Sequence, residues 1–269
     1  MSNTLPRQHL SATARIGVDF LAIDGATRPR SGSGSGFWVN GLQNGRTKVP
    51  YFVFITNRHV VDYWYGSRKC GYRLSDVRLQ SFDLDGNPFP ILELEARDIS
   101  IKYPENEKLD IAVLTCDYDP LGSFLKSSLP SQIVTISNSH LISDERKSRD
   151  LPWGAHVSFV SFQPWADSAV GRPILRSGIV ASDPRHDYNL DEINREDVLL
   201  LEAMSFAGSS GSLVIANSEG DTFRDDFSGP GVRPYRPEQI LGIMSGHIRN
   251  KRDDIGEFYN MHTGPVTSP

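Results

Sequence analysis

The chain has 269 residues, with 28 Lys+Arg against 33 Asp+Glu and a formal net charge of −5. Hydrophobic residues make up 38% and charged residues 23%, a balance that excludes wholesale disorder and leaves ample length for a buried core without metal or disulfide staples. The mild acidity gives no general attraction for phosphate backbones, so nucleic acid is not an expected partner. No run approaches the ~20 apolar residues of a membrane helix, so no membrane association is expected either.

Taken in chain order, the first residues, MSNTLPRQHL, carry no basic segment followed by an apolar one. A cytoplasmic location is therefore expected, with Cys70 and Cys116 as free thiols, although a bridge between them stays open. The stretch 31–36, SGSGSG, is low in complexity and its composition alone favours a flexible turn. Short apolar, β-branched and aromatic runs follow at 37–39, 51–56, 91–94, 111–114 and 133–136. A polar, charged stretch, SNSHLISDERKSRDLP, then spans 137–152. Further short runs follow at 157–162, 179–180, 198–201, 213–215 and 240–244, separated by long loop-like segments at 183–197 and 217–237. Many strand-length runs bounded by Gly and Pro, with little helical periodicity, predict an all-β fold. The polar stretch predicts two lobes, 1–140 and 153–269, joined by a linker at 141–152.

Three segments carry the residue types of acyl-transfer chemistry. FITNRHVV places His59 directly after a β-rich run, KLDIAVL places Asp110 at the head of an apolar strand, and AGSSGSLV places Ser210 in a Gly-rich turn before another strand. A serine hydroxyl is a weak nucleophile at neutral pH and needs a base within hydrogen-bond reach. Imidazole suits that role, and a buried carboxylate fixes its tautomer and stabilises the imidazolium. Glycines beside the serine let backbone N–H groups face a developing oxyanion. The chain order His, Asp, Ser differs from the Ser, acid, His order of α/β-hydrolases and the Asp, His, Ser order of subtilisins. Asp62 and Asp98 are fallback candidates for the acid, and Ser209 and Ser212 compete with Ser210 in the same turn. No HExxH or CxxC spacing is present, and no metal or other cofactor is expected.

These segments, in this order, resemble the trypsin-like (chymotrypsin-fold) serine proteases, of the bacterial branch close to HtrA-like proteases and glutamyl endopeptidases. GSGSGFWV resembles the glycine-led first strand, TNRHVV the histidine segment, LDIAVL the aspartate strand and GRPILRSGIVAS the return strands of the second barrel. GSSGSLV resembles the nucleophile turn and ILGIMSGH the strand along which substrate pairs. The resemblance implies two six-stranded antiparallel β-barrels with the active site in the cleft between them. It implies His59 as general base, Asp110 as its orienter, Ser210 as nucleophile, and an oxyanion hole from the N–H groups of Gly208 and Ser210. Met204 and Ser205, with Ser245, Gly246 and His247, would flank the pocket for the substrate side chain.

The implied activity is that of a serine endopeptidase acting on protein or peptide substrates, restrained by a regulatory partner. Ser209 stands where zymogen-activated relatives have an aspartate, so activation by N-terminal cleavage is not expected. Met204 in place of a pocket aspartate argues against Arg or Lys substrates. His247 could recognise an acidic or amide side chain, against the plainer reading of an apolar pocket at Met204. The rival readings are a protease-like binding module without activity and a serine esterase on the same fold.

Overall fold

The computed structural model describes residues 7–24, 28–40, 52–63, 65, 71–115, 135–137, 151–163, 167, 169–186, 198–220, 235–249 and 258–261. In chain order a short helix α1 (Arg7–Ala12) leads into β1 (Thr13–Ala22), β2 (Arg30–Asn40) and β3 (Phe52–Thr56). A helical turn α2 (Arg58–Val61) follows, then β4 (Tyr72–Ser81), β5 (Leu92–Glu95), a 3-10 turn (Ala96–Asp98), β6 (Ser100–Lys102), β7 (Ala112–Thr115) and β8 (Ile136–Ser137). The second half contributes β9 (His156–Ser161), β10 (Ile174–Val180), β11 (Leu200–Ala203), β12 (Leu213–Ala216), β13 (Gln239–Ile243), β14 (Gly246–Arg249) and β15 (Phe258–Met261).

The strands form two sheets. The first runs β5-β4-β1-β2-β3-β7-β6, all antiparallel, with β8 added in parallel to β2. The second runs β13-β12-β9-β10-β11-β15-β14, also antiparallel. The fold is thus mostly β, as the short runs predict, but the strand count is not six and six. Among the described residues it is eight and seven, because short strands such as β6 and β8 add to the longer ones. Among the described residues, β5 and β6 end the first path and β13 and β14 end the second. The expected linker at 141–152 lies outside the described residues except for Leu151 and Pro152, as do Cys70 and Cys116.

Period-two geometry places successive side chains on opposite faces of a strand. On β2, Trp38 enters the core of the first sheet, where its ring meets Phe54 edge-on at 5.0 Å between centroids. Its neighbours Phe37 and Val39 face the other way, into a core shared with Ile55, Leu213, Ile215, Ile240 and Ile243. That cluster joins the two sheets. It explains why these segments read as unbroken apolar runs: both of their faces are buried. A third cluster, around Val157, Phe159, Leu201, Val214 and Met244, belongs to the second sheet alone.

The SGSGSG stretch is not a flexible turn. It is the first half of β2, paired with β1 from Thr13↔Phe37 to Phe20↔Arg30. Its glycines fall on one face, and at Gly34 and Gly36 neighbours come too close for a side chain. A Cβ on Gly36 would stand 2.3 Å from Cζ of Phe54 and 2.6 Å from the carbonyl oxygen of Ile55. A Cβ on Gly34 would stand 2.9 Å from the carbonyl oxygen of Ser210. The composition that suggests flexibility instead permits close backbone approach.

Candidate active site

β3 ends at Thr56, which is fully buried like Asn57 after it, and the chain then turns through α2. Val60 and Val61 bury their side chains and anchor this turn, while the His59 side chain keeps 30% of its surface exposed. Asp110, next to the strand that pairs with β3, is buried beneath it. Its carboxylate is held at both oxygens by the same residue. His59 Nδ1 lies 2.7 Å from Oδ2, and the His59 backbone N–H donates to Oδ1 at 3.0 Å. The Asn57 side-chain amide donates to the Asp110 carbonyl at 2.7 Å, fixing the backbone there as well. An ionised carboxylate only accepts, so Nδ1 carries the ring proton, and in the neutral ring Nε2 keeps its lone pair.

A cluster beside His59 stiffens the turn. The Arg58 guanidinium lies 4.5 Å from the Tyr103 ring centroid and 4.9 Å from that of Tyr65, and its Nε donates to Asp62 at 3.0 Å. The Tyr65 hydroxyl donates to the carbonyl of Lys108 at 3.1 Å. The turn bearing His59 is thereby tied to the segment that leads into Asp110. Asp62 is engaged with Arg58, and Asp98 lies exposed in the 3-10 turn, so of the three acids Asp110 is the one on His59.

The Gly-rich turn at 207–212 separates its three serines. Ser209 and Ser212 are buried, whereas Ser210 is half-buried. Ser209 turns inward: its N–H donates to the Phe206 carbonyl at 3.0 Å, and its Oγ accepts from the Phe206 N–H at 3.3 Å. Gly208 and Gly211 take φ of 98° and 87°, in the left-handed region that favours glycine. Gly211 allows no side chain, since a Cβ would stand 1.9 Å from the Ser35 carbonyl oxygen. The N–H groups of Gly208 and Ser210 donate to no acceptor among the described residues.

The two halves meet at β2. The Ser35 N–H donates to the Ser210 carbonyl at 2.7 Å, and the Ser35 Oγ donates to the Gly208 carbonyl at 2.6 Å. The point where a Gly34 Cβ would sit is crowded by the Ser210 carbonyl oxygen and, at 3.1 and 3.3 Å, by both methyls of Val60. The serine turn and the residue next to His59 are therefore neighbours across Gly34. Ser35, Thr56 and Asn57 escape a motif-based reading. The signal for Ser35 is present in hindsight as a serine locked between glycines on one strand.

Around the expected pocket, Met204 is 66% exposed, Ser205 and Ser245 are buried, and Gly246 is half-buried. The His247 backbone pairs with Asn260 between β14 and β15, and its side chain lies outside the described residues. Among the described residues, no group of three or more His, Cys, Asp or Glu side chains could hold a metal ion, and no helix is long and apolar enough to cross a membrane.

No known family model matches the chain, and no curated protein matches it. Among solved structures the chain is similar to Deg5, with a TM-score of 0.45 and 16% identity over 77% of this chain and 75% of that one.

Proposed function

We propose that the chain is a serine endopeptidase of chymotrypsin-like architecture, with His59, Asp110 and Ser210 as its triad. The observation that carries this reading is the double hold of Asp110 on His59, set beside a half-buried serine whose turn abuts the histidine turn across Gly34. Ser210 Oγ attacks the peptide carbonyl while Nε2 of His59 takes its proton. The carbonyl π pair moves onto oxygen, and the N–H groups of Gly208 and Ser210 receive the oxyanion. The oxyanion collapses, the C–N bond breaks, and the imidazolium gives its proton to the departing amine. Water, deprotonated by His59, then hydrolyses the acyl-enzyme. Asp110 holds the tautomer and supports the cationic ring throughout.

Peptides or proteins are the substrates. The described pocket residues Met204, Ser205, Ser245 and Gly246 carry no charge, which favours an apolar side chain before the scissile bond over an acidic one. A partner that orders the serine turn is the expected means of restraint, and a cytoplasmic setting remains part of the proposal. Cleavage of a peptide library, with Ser210→Ala as control, tests the reading. Cuts after apolar residues that vanish in the variant support it. Turnover of small esters without peptide cleavage favours an esterase, and no turnover of either favours a binding module.

A further inference from the structure

The geometry points to Ser35 as a positioning residue that sets the oxyanion turn from the opposite sheet; this rests on the serine-protease reading above. Ser35 is fully buried and every polar group it owns is engaged. Its N–H holds the Ser210 carbonyl at 2.7 Å, and its carbonyl accepts from Thr56 Oγ1 at 2.7 Å. Its hydroxyl does two things. It donates to the Gly208 carbonyl at 2.6 Å and accepts from the Phe162 N–H at 3.2 Å.

The hydroxyl contact has a geometric consequence. Fixing the Gly208 carbonyl fixes the peptide plane joining Gly208 to Ser209. Gly208 sits at φ 98°, and this dihedral together with ψ sets how its own N–H, in the preceding plane, lies relative to that fixed plane. Glycine at this position can reach either sign of φ, and within the turn that plane is held by the Ser209 N–H donating to the Phe206 carbonyl at 3.0 Å. Ser35 adds a second hold on the same plane from outside the turn, at its carbonyl end.

The hold continues around the turn. Gln163, next to Phe162, is buried and accepts from Arg176 Nη2 on β10. The Arg176 guanidinium lies 4.9 Å from the Phe206 ring centroid. Phe206 in turn is bonded at both its N–H and its carbonyl to Ser209. The contacts thus form a closed circuit, from Ser35 through Phe162, Gln163, Arg176, Phe206 and Ser209 to Gly208 and back. Ser35 on β2, paired with Arg15 on β1, belongs to one sheet, while Gly208 precedes a strand of the other. The orientation of the oxyanion donors therefore depends on how the two sheets are seated.

The test uses the full chain with Ser35→Ala, which deletes the hydroxyl, and Ser35→Cys, which keeps a side-chain donor at the same position, weaker and somewhat larger. Both are compared at a temperature where circular dichroism shows them folded, and Ser35→Cys carries the test if Ser35→Ala does not fold. The readouts are kcat and KM on a peptide substrate, and inhibition by a peptide aldehyde, which forms an oxyanion, against a peptide amide, which does not. Loss of one oxyanion donor outright costs roughly 10²–10³ in kcat. A misoriented donor is expected to lower kcat about tenfold or more, with KM within twofold. Ser35→Cys is expected to lie between wild type and Ser35→Ala, and aldehyde binding to weaken while amide binding holds. Unchanged kcat and aldehyde affinity in the variants, with wild type active, overturns the role of Ser35. A wild type inactive towards both peptide and aldehyde overturns the protease reading on which it rests.

Discussion

The His59 ring and the His59 backbone N–H grip the two oxygens of one Asp110 carboxylate, at 2.7 and 3.0 Å. A single residue thus engages both oxygens, and the ring orientation is coupled to the direction of the chain at α2. Asp110→Asn preserves the size but replaces one oxygen with a donor. Either the N–H of His59 or Nδ1 then faces an NH₂ group. If it is Nδ1, the ring must shift its proton to Nε2, which leaves no base for Ser210. The expected result is a fall in kcat of about 10³–10⁴-fold with the fold retained, read from peptide hydrolysis beside circular dichroism.

The glycines of the first sheet make a separate, structural prediction. Gly36→Ala drives a Cβ to 2.3 and 2.5 Å from the Phe54 ring and 2.6 Å from the Ile55 carbonyl oxygen. Phe54 is buried against Trp38, so neither atom group can yield cheaply. A loss of about 1–3 kcal/mol or more is expected in urea denaturation. Gly17→Ala on β1 meets only the Arg78 side chain, no nearer than 3.5 Å. Its stability is expected to stay within about 1 kcal/mol of wild type, with a gain from reduced chain entropy as the favourable limit.

Much of this fold is legible in the sequence because burial on both faces leaves unbroken apolar runs. β3, β9, β12 and β13 announce themselves that way. β1 and β4 do not, because only one face is buried and residues such as Arg15, Asp19, Asp76 and Arg78 occupy the other. Their apolar period of two is diluted by charge. The SGSGSG stretch misleads in the opposite direction, since its composition speaks of freedom while its setting demands close approach. At the site, the histidine, aspartate and serine segments carry local signatures. Ser35 and Asn57 act through contacts with residues 173 and 53 positions away, and no local pattern encodes such a distance.

Tyr65 offers a test of the clamp beside His59. Tyr65→Phe keeps the ring against Arg58 and deletes only the hydroxyl that reaches the Lys108 carbonyl at 3.1 Å. A loss of about 0.5–1.5 kcal/mol is expected, the ordinary net worth of one such bond. Equilibrium unfolding in urea measures it, and an unchanged midpoint would mean the hydroxyl bond adds nothing to the join.

Asp183, just beyond β10, gives a pH prediction. Arg185 grips its carboxylate through Nη2 at 2.7 Å, Nε at 2.9 Å and its backbone N–H at 3.0 Å. The Arg185 side chain, and then its backbone N–H, hold the Asp183 carboxyl well below its ordinary value near 3.8. A group depressed on folding binds fewer protons in the folded than in the unfolded chain, so stability rises with pH across that window. Its contribution is complete above about pH 5, starts to fall as pH drops through about 4, and is lost only as pH passes through the much lower folded-state value. Wild type is therefore expected to exceed Asp183→Asn in stability at neutral pH, and the gap to narrow as pH falls below about 4. Thermal melts of both proteins between pH 7 and pH 3 check this, and a gap independent of pH would refute it.

A fluorophosphonate tests the Ser210 nucleophile most directly, since it bonds covalently to an activated serine. Folded wild-type chain is treated with the reagent, digested and mapped by mass spectrometry. The expected result is one phosphonyl adduct on Ser210, abolished in Ser210→Ala and lost or greatly slowed in His59→Ala. An adduct on another serine, or none on folded protein, would contradict the account.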